Sequence, residues 1–452
     1  MFKYECDSRL IENGQTFVAL KGFTVDGHDY IDKAIENGAA EVVGEKDLKL
    51  SVPYTKVKDT NEWLKETLKK EYGKNISKLK LIGVTGTNGK TTSCYLTYQM
   101  LNMLGVDTSY IGTLGYYHKD EFIELNNTTP DILTMYKLLN HAYENGVKSL
   151  VMEVSSQALS YDRLYGVDFD IIGFTNFTED HLDFHKTMAE YLKAKLLVLD
   201  HLKKDASITA NKDDKEGIKF KKVGHKYVTF GYNADYNLID FDSTPSETNV
   251  KFSFEDKQYN VEVPLTSKFN VYNYLTMLSI VNLYGFSIED VIDKTSKLKA
   301  PKGRCEAYKV NNGYAVIDYA HTPDAVEKVI TAYNELKKNR VITIVGCGGD
   351  RDPKKRPIMG DIATRLSDHV ILTSDNPRTE DPLMILEDII KGVKTNNYEV
   401  EPDRKLAIKK GIDMMEKNDI LLILGKGHED YQIIGKTKHH LDDSEEVKNW
   451  KK

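Results

Sequence analysis

The stretch LIGVTGTNGKTT, residues 81–92, decides the fold. Residues 81–84 are apolar or small and predict the end of a buried strand, and the apolar-periodic run 94–104 predicts a helix. A glycine-rich turn stands between them at 86–92. Glycines let a backbone wrap around an anion, and the amides and dipole of a helix start favour negative charge. The stretch therefore predicts a phosphate-binding turn between a strand and a helix.

Two side chains of this turn have an expected role. Lys90 is expected to reach the outer phosphates of a nucleoside triphosphate, and the Thr91 hydroxyl to bind Mg²⁺. The spacing is G-x-x-G-x-x-G-K-T, and Val84 stands where the usual G-x-x-x-x-G-K-[ST] pattern has its first glycine. The residues expected at the triphosphate are Gly86, Thr87, Asn88, Gly89, Lys90, Thr91 and Thr92.

Length and composition limit the class of protein. With 452 residues the chain is too long for one core, so about two to four domains are expected. A charged fraction of 29% and a hydrophobic fraction of 40% are ordinary for a globular protein, and a net charge of −7 argues against a general nucleic-acid binder. No apolar stretch approaches the roughly 18 residues that span a bilayer, and the N-terminus has no apolar signal region. We therefore expect neither membrane insertion nor export.

The four cysteines are scattered without C-x-x-C spacing, at Cys6, Cys94, Cys305 and Cys347. A disulfide framework or a zinc site is therefore not expected, and the pattern fits a reducing cytosol.

Residues 1–75 predict a small α/β domain. Strand-like and helical runs alternate there, at 16–20, 29–37, 41–44 and 61–72. The polar cluster 7–9, before the first strand, is by itself typical of a solvated turn.

Residues 76–299 predict a second α/β domain that opens with the phosphate-binding turn. Strand-like runs lie at 149–154 and 169–175, with helical runs at 132–143 and 188–202. Strands alternating with helices imply a mostly parallel sheet, in which ligands bind at the carboxyl ends of strands. Shorter alternating strands follow over 227–263, and a helix over 268–284.

Residues 300–452 predict a third domain, a doubly wound α/β fold. Strand-like runs lie at 316–318, 341–345, 369–373 and 420–424, separated by helices. Polar or glycine-rich residues follow the last three strands, so their ends are again expected to hold the chemistry. The predicted fold class is therefore α/β, with a small N-terminal domain, a central phosphate-loop sheet and a C-terminal Rossmann-like domain.

Several side chains near the predicted strand ends could carry chemistry. Glu153 could hold a metal ion, and His181 is either a metal ligand or an ordinary turn histidine. Lys195 lies within a predicted helix, where a lysine usually faces solvent. In the third domain Arg351 and Arg378 could grip a carboxylate, with surface ion pairing as the alternative. Asn376, Gly425 and Glu429 could hold a neighbouring amino group.

These segments together resemble the Mur ligase family, in its UDP-N-acetylmuramoyl-tripeptide synthetase type. The resemblance rests on Asp7-Ser-Arg9 with FVALKGFTVDGHDYIDKAIENGAA, GVTGTNGKTT, NTTPD, VMEVSS, NFTEDHLDFH, YLKAK, KFNVYN, GRCE, VIDYAHTPDA, GCGGDRDPKKRPIMG, TSDNPRTEDP and GKGHEDYQI. They span nearly the whole chain in the family's order.

The resemblance implies three domains and one reaction. Residues 1–75 would bind a UDP-sugar, 76–299 would bind ATP and 300–452 would bind an amino acid. ATP would phosphorylate the carboxylate of a UDP-muramoyl-dipeptide, and an amine would displace the phosphate. Phosphorylation gives the carboxylate a leaving group, while Lys90 and Mg²⁺ offset the charge that develops.

The resemblance also assigns roles residue by residue. Lys90 and Thr91 match phosphate-loop positions, and Glu153 and His181 match metal-binding positions. Lys195 matches a lysine that the family carbamylates, an N6-carboxylysine that helps to hold a second Mg²⁺, which would reverse the surface expectation. Positions near the nucleotide match Asn270, Asn273, Arg304 and Asp318. The positions that contact the UDP-substrate in the family correspond to Ser8, Thr128, Thr129, Ser155 and Arg163. The amino-acid pocket matches Arg351, Asp375, Asn376, Arg378, Gly425 and Glu429.

The segment 375–378, DNPR, resembles the pocket that takes meso-diaminopimelate rather than lysine. Diaminopimelate carries a second carboxylate where lysine has only an ammonium. Arg378 and Arg351 would bind that carboxylate and repel a lone ammonium. We therefore expect a strong preference for diaminopimelate over L-lysine.

Two departures leave the acceptor open. Gln157 stands where the family usually has histidine, and glutamine forms hydrogen bonds but carries no proton at neutral pH. The chain also begins only a few residues before the 7–9 cluster. The leading hypothesis is an ATP-dependent amide ligase of peptidoglycan precursor synthesis, cytoplasmic and monomeric. The alternatives are a relative that uses another carboxylate, such as a folylpolyglutamate-type or peptide-tailoring ligase, and a non-catalytic nucleotide-binding protein.

Overall fold

The computed structural model describes residues 2–22, 25–311 and 313–450. Its strands are β1 (Tyr4–Glu5), β2 (Thr16–Val18), β3 (Glu41–Gly44), β4 (Tyr54–Lys56), β5 (Lys80–Thr85), β6 (Thr108–Gly112), β7 (Gly115–His118), β8 (Glu121–Ile123), β9 (Ser149–Glu153), β10 (Phe169–Phe174), β11 (Leu202–Asn211), β12 (Lys226–Gly231), β13 (Tyr236–Ser243), β14 (Thr248–Phe254), β15 (Lys257–Val263), β16 (Glu306–Val310), β17 (Gly313–Asp318), β18 (Val341–Val345), β19 (His369–Leu372), β20 (Tyr398–Val400), β21 (Ile420–Leu424), β22 (Tyr431–Ile434) and β23 (Thr437–His440).

The α-helices are α1 (Ile31–Glu36), α2 (Thr60–Ile76), α3 (Lys90–Met103), α4 (Ile132–Glu144), α5 (Ser156–Ser160), α6 (Leu182–His185), α7 (Met188–Leu196), α8 (Lys268–Tyr284), α9 (Ile288–Thr295), α10 (Pro323–Leu336), α11 (Lys355–Leu366), α12 (Pro382–Ile390), α13 (Arg404–Asp413) and α14 (Asp443–Trp450). Short 3₁₀ turns cover Gly27–Tyr30, Leu197–Asp200 and Gly217–Phe220.

The chain divides into two compact units. The first runs through Ala210 and includes Asp214–Val228, and the second holds Asn211–Asp213 and the described residues from Thr229 on.

The first unit contains two sheets. The N-terminal sheet has the order β1-β2-β3-β4 with every pair parallel. In the larger sheet β11, β10, β5, β9 and β6 are parallel neighbours in that order, and β7 and β8 continue it as antiparallel strands. The central position of β5, which is buried along most of its length, places the glycine-rich turn at the middle of the carboxyl edge of this sheet. That edge is where parallel sheets bind ligands.

The second unit holds an antiparallel ribbon and a doubly wound sheet. Strands β13, β14 and β15 form the ribbon, which packs on α8 and α9. The sheet has the order β16-β17-β21-β18-β19-β20, and all its pairs are parallel except β16 with β17. Its central strands β18 and β21 are fully buried, which agrees with their continuous apolar sequences VITIV and ILLIL.

The predicted α/β class with three α/β parts is confirmed by these sheets. Residue-level boundaries of the three predicted domains stay a prediction. Most predicted elements are present, including the helix Lys268–Tyr284, which ends at Gly285 as its sequence indicates. The predicted helix 188–202 is wrong at its end, because α7 stops at Leu196 and Leu202 begins a strand. The patterns also missed the buried strand β6, the strands β7 and β8 and the β22–β23 hairpin. Of these, β8 and the two hairpin strands are short and partly or fully exposed.

Two further features of the described residues bear on the sequence analysis. None of their helices combines the length and the apolar character that crossing a membrane requires. All four cysteines are free thiols.

Candidate functional site

The glycine-rich turn is braced by the segment that follows β10. The backbone N–H of Thr87 donates to the Asn176 carbonyl at 2.8 Å, and the N–H of Asn88 donates to the Asn176 side chain at 2.9 Å. Gly86 has φ +147°, and a Cβ there would lie 1.9 Å from Thr175 Oγ1. Glycine is therefore required at 86, both for its backbone conformation and for the approach of Thr175.

Lys90 begins helix α3 directly after Gly89, which has φ +85°. Its ammonium donates to the carbonyls of Gly86 and Thr87 at 3.0 and 2.8 Å. The first backbone N–H groups of a helix have no partner within it, so the start of α3 presents donors and positive potential beside this ammonium. This combination can hold the anionic end of a triphosphate.

Glu153, at the end of β9, is 1% exposed and accepts hydrogen bonds on both oxygens. Oε2 accepts from the Thr91 hydroxyl at 2.9 Å and from the Thr113 hydroxyl at 3.3 Å. Oε1 accepts from the Tyr110 phenol at 2.6 Å and from the Thr113 backbone N–H at 2.8 Å. Two predicted metal ligands, Thr91 and Glu153, are therefore in direct contact.

Lys195 is 1% exposed, so the surface position expected from its residue type is wrong. Its ammonium donates to the Gly86 carbonyl at 2.7 Å and lies 4.5 Å from the centre of the Tyr191 ring. Within the described chain it belongs to no ion pair. Burial, followed by the charge of Lys90, holds the pKa of Lys195 well below its usual range. Burial at this position therefore disfavours the charged ammonium relative to the neutral amine.

His181 lies near Lys195 but is more open. Its side chain is 42% exposed, its Nε2 lies 3.5 Å from Asp180 Oδ2, and its ring meets the Tyr191 ring edge-on at 6.0 Å. It adopts φ +54°, an uncommon conformation for a residue with a side chain. Because the Tyr191 ring contacts both Lys195 and His181, it links two of the four predicted metal-binding positions.

Four of the five predicted UDP-substrate residues gather beside Glu153. Thr129 donates its hydroxyl to the Glu153 carbonyl at 2.8 Å and accepts the backbone N–H of Ser155 at 3.1 Å. The Arg163 guanidinium donates to the Thr129 carbonyl at 2.8 Å. The Thr128 hydroxyl lies 3.0 Å from the Thr113 hydroxyl.

Ser8, the fifth, is buried in the loop after β1. Its carbonyl accepts from the Asn37 side chain at 2.7 Å. The loop is fixed by Glu5, which accepts the backbone N–H groups of Cys6 and Asp7 and pairs with Lys137 of α4. The 7–9 cluster is therefore an anchored loop rather than a freely solvated turn.

The residues predicted to contact the rest of the nucleotide form two groups in the second unit. Asn273 donates its amide to Asn270 at 2.9 Å near the start of α8, where both are buried. Asp318, at the end of β17, accepts the backbone N–H groups of Cys305 and Ala320, each at 2.9 Å. Burial raises the pKa of Asp318.

Arg304 stacks over the Tyr319 ring at 4.8 Å. The same ring lies 4.9 Å from the His428 ring, so it joins the GRCE and GKGHE segments. Burial, followed by the positive charges of Arg304, Lys302, Lys426 and His321, lowers the pKa of His428 to about 3. His428 is therefore neutral near pH 7.

The predicted amino-acid pocket has a hydrogen-bonded centre. Asn376 donates its amide to Glu429 Oε2 at 2.8 Å and accepts the backbone N–H of Ile433 at 2.9 Å. The fully buried ammonium of Lys426 lies 3.2 Å from Glu429 Oε2 and 3.4 Å from Asn376 Oδ1. Gly425 has φ +112°, and a Cβ there would lie 2.7 Å from Asp375 Oδ2. Asn376, Glu429, Gly425 and Asp375 are thus brought together as predicted.

The two predicted arginines flank Gly348. Arg378 donates to the Gly349 carbonyl at 2.7 Å. A Cβ on Gly348 would lie 2.9 Å from an Arg378 guanidinium nitrogen and 3.8 Å from Arg351 Cγ. Arg351 is exposed, whereas Arg378 is half-buried. The binding of a carboxylate by these two arginines stays a prediction.

Sequence reasoning missed several residues of these sites. Lys426 follows a buried strand and stands between two glycines, so the rule that selected Gly425 and Glu429 could also have selected it. Gln432 donates its amide to the Asp375 carbonyl at 2.7 Å, but it lies on the unpredicted β22–β23 hairpin. The sequence pattern did not indicate a functional role for Tyr110, because a tyrosine within a strand is typical of ordinary sheet packing.

The residues present fit a hard divalent cation. A carboxylate and a hydroxyl in contact at a helix start are oxygen donors of the kind that Mg²⁺ prefers. Among the residues that the structure describes, no three His, Cys, Asp or Glu side chains gather as a metal site. The predicted set contains only two such side chains, Glu153 and His181, and its other members are Thr91 and Lys195.

Comparison with known proteins gives matches over the whole length. Family models match residues 4–72 (Mur ligase family, catalytic domain), 84–281 (Mur ligase middle domain) and 303–427 (Mur ligase, glutamate ligase domain). A relative from Clostridium acetobutylicum, named UDP-N-acetylmuramoyl-L-alanyl-D-glutamate--2,6-diaminopimelate ligase 1, is 42% identical over 98% of this chain and 92% of its own. The chain belongs to the Mur ligase family.

Two solved structures are similar to this Mur ligase. A UDP-N-acetylmuramoyl-L-alanyl-D-glutamate--2,6-diaminopimelate ligase superposes with a TM-score of 0.70 at 32% identity, covering 99% of this chain and 94% of its own. A MurF ligase from Thermotoga maritima in complex with ADP gives 0.69 at 20% identity, covering 94% of each chain, which shows the shared fold. The predictions of the family and of an ATP-dependent, amide-forming ligase are confirmed. The roles of individual site residues stay predictions.

Proposed function

We propose that this Mur ligase joins meso-diaminopimelate to the free carboxylate of UDP-N-acetylmuramoyl-L-alanyl-D-glutamate, with ATP and Mg²⁺, in peptidoglycan precursor synthesis. The observation that carries the proposal is one chain of hydrogen bonds, Thr91–Glu153–Thr113–Thr128. It joins predicted nucleotide residues to predicted acceptor residues within the first unit. Relatives whose names state this acceptor and 2,6-diaminopimelate support the choice of substrates.

In the first step, a carboxylate oxygen of the acceptor attacks the γ-phosphorus of ATP. A new P–O bond forms, the bond to the ADP oxygen breaks, and the products are an acyl phosphate and ADP. Lys90 and the start of α3 offset the charge on the transferring group. Thr91 and Glu153 would hold one Mg²⁺, with His181 and Lys195 at a second, and bound Mg²⁺ supplies further charge neutralisation.

Lys195 would act as a carbamate. Its buried neutral amine attacks the carbon of CO₂, a C–N bond forms and a proton is lost, which leaves an anionic oxygen ligand. The position supports this, because an ammonium there is desolvated, faces Lys90 and lies in no ion pair among the described residues. A bare amine in a well-ordered, nucleotide-bound crystal structure would contradict this assignment.

In the second step, the deprotonated amine of the amino acid attacks the acyl carbon. A C–N bond forms, the C–O bond to phosphate breaks, and phosphate leaves while the nitrogen loses one proton to solvent or to the departing phosphate. Glu429 and Asn376 would orient the amino group of diaminopimelate, while Arg378 and Arg351 bind its distal carboxylate. Asn270, Asn273, Arg304 and Asp318 would contact the nucleoside.

The test is phosphate release measured with a panel of acceptors and amino acids. We expect release with UDP-N-acetylmuramoyl-L-alanyl-D-glutamate plus meso-diaminopimelate, and at least about tenfold lower kcat/KM with L-lysine, since each charge-assisted hydrogen bond contributes roughly 1.5–3 kcal/mol. Activity only with another carboxylate, including a folate, would show that the proposed acceptor is wrong and that the other compound is the acceptor. Absence of activity with every acceptor would favour a non-catalytic protein. Cytoplasmic localisation, a monomeric state and the absence of nucleic-acid binding stay predictions.

A further inference from the structure

Tyr110 is not among the residues assigned to the reaction. It nevertheless makes the shortest of the four hydrogen bonds to the Glu153 carboxylate. Its phenol donates to Glu153 Oε1 at 2.6 Å. It lies on β6, beside the strand that ends in Glu153, and both side chains are almost completely buried. A buried carboxylate needs donors, so the position of this phenol governs how Glu153 is oriented.

The Tyr110 ring is held from several sides. Tyr95 meets it edge-on at 5.8 Å and 89°, and Tyr98 and Tyr117 lie 6.2 and 6.0 Å away. Aromatic pairs prefer particular arrangements, so these neighbours favour one placement of the Tyr110 ring. The phenol is therefore a donor whose direction is set by the core of the sheet.

Gly112 keeps the space between the two groups open. A Cβ at this position would lie 2.2 Å from the Tyr110 phenol oxygen and 2.3 Å from Glu153 Oε1. Any side chain at 112 would thus displace one of the two partners. This glycine has no positive φ, so its small size rather than its backbone freedom is what the site uses.

The two carboxylate oxygens of Glu153 accept from different kinds of donor. Oε1 receives the Tyr110 phenol and the Thr113 backbone N–H, which is fixed by the strand end. Oε2 receives only hydroxyl groups, from Thr91 and Thr113, and hydroxyls can rotate away. The oxygen that can exchange its partners for a cation is therefore Oε2.

We propose that Tyr110 is a positioning residue that fixes Glu153 Oε1, so that Oε2 faces the divalent cation of the bound nucleotide. This inference rests on the proposed ATP and Mg²⁺ chemistry and extends it to a residue that never touches the substrate. Partners that orient a metal ligand typically contribute about 10–100-fold to metal affinity.

The test compares Tyr110→Phe with Tyr116→Phe. Tyr116 lies on β7, is equally buried, and makes none of the four hydrogen bonds to Glu153. Mn²⁺ binding to the ADP-loaded protein is titrated by electron paramagnetic resonance, and the KM for Mg²⁺ and for the amino acid is measured in parallel. We expect about tenfold weaker Mn²⁺ binding and a higher KM for Mg²⁺ in Tyr110→Phe only.

An unchanged Mn²⁺ affinity in Tyr110→Phe, or an equal loss in both variants, would overturn the inference. If Tyr110→Phe does not fold, Gly112→Ala provides the second route, and it should weaken Mn²⁺ binding while the phenol is still present. The binding measurement needs no ligation. It can therefore fail while phosphate release succeeds, or succeed while the proposed acceptor is wrong, which separates the two hypotheses.

Discussion

Each of the two predicted sites is built beside a buried lysine, and the two lysines are satisfied in opposite ways. Lys426 lies within 3.2 Å of the Glu429 carboxylate, whereas Lys195 donates to a backbone carbonyl and has no carboxylate partner among the described residues. The ion pair at Lys426 holds Glu429, a residue of the predicted pocket, in place. At Lys195, burial with no carboxylate partner among the described residues disfavours the charged ammonium. The surroundings of a buried lysine, rather than its burial, decide which role it takes.

The largest effect on activity is expected for the substitution Lys195→Met. Losing the anionic ligand should lower kcat/KM for ATP by about 10²–10³-fold, the range for removing one preorganised transition-state contact. The free energy of unfolding should stay within about 1 kcal/mol of wild type or rise, because a buried amine that lies in no ion pair among the described residues is removed. Phosphate release and urea unfolding are the measurements.

Lys193→Met is the matched control for that variant. Lys193 lies on the same helix, but its side chain is 75% exposed, so both quantities should stay near wild type. A strongly destabilised Lys195→Met protein would contradict the contrast between the two lysines.

The opposite stability result is expected for Lys426→Met. Removing the cation leaves Glu429 as a largely buried charge, which should lower the free energy of unfolding by about 2–4 kcal/mol. Adding Glu429→Gln should recover part of the loss, and a urea unfolding series on the two single variants and the double variant measures the coupling. Lys438→Met, which removes an exposed lysine stacked on Tyr431, is the control. A coupling of zero would mean that the ion pair does not organise the pocket.

Arg378→Met tests how the second site selects its amino acid. Losing a charge-assisted contact to the distal carboxylate should lower kcat/KM for diaminopimelate by roughly 10–100-fold, with little effect on L-lysine. Arg365→Met, at an exposed arginine paired with Glu327, should leave the ratio of the two unchanged. Competition assays with both amino acids give this ratio. An equal loss for the two substrates would show that Arg378 does not discriminate between them.

The smallest expected effect is the pH response of His428. Its pKa is about 3 when folded and 6.5 in the reference state, so below pH 6.5 the unfolded chain binds a proton that the folded chain does not. Stability should therefore fall with falling pH, by about 1–2 kcal/mol between pH 7.5 and pH 5. His428→Gln should remove that part of the decrease. The measurement is the urea midpoint of each protein at the two pH values. The same change of midpoint with pH in both proteins would refute the prediction.

Patterns of local sequence were sufficient for much of the fold. The run LIGVTGTNGKTT specified strand, turn and helix, and continuous apolar runs specified the buried strands β18 and β21. The strand β7, the edge strand β8 and the β22–β23 hairpin were not predicted, because runs of three or four residues carry weak periodicity. The hairpin mattered, since its Gln432 and Ile433 bond to the residues that carry the predicted pocket.

The sequence by itself determined the α/β class, the phosphate-binding turn and the residues at strand ends, because these depend on contacts between near neighbours in the chain. Only the tertiary structure decided that Lys195 is buried with no carboxylate partner among the described residues, that Lys426 pairs with Glu429, and that the Tyr110 phenol donates to Glu153. Glu153 and Tyr110 are separated by 43 residues, and strand pairing makes them neighbours. Hydrogen bonding and desolvation act through such distant contacts, so the chemistry of the phosphate-binding turn depends on groups that no local pattern reveals.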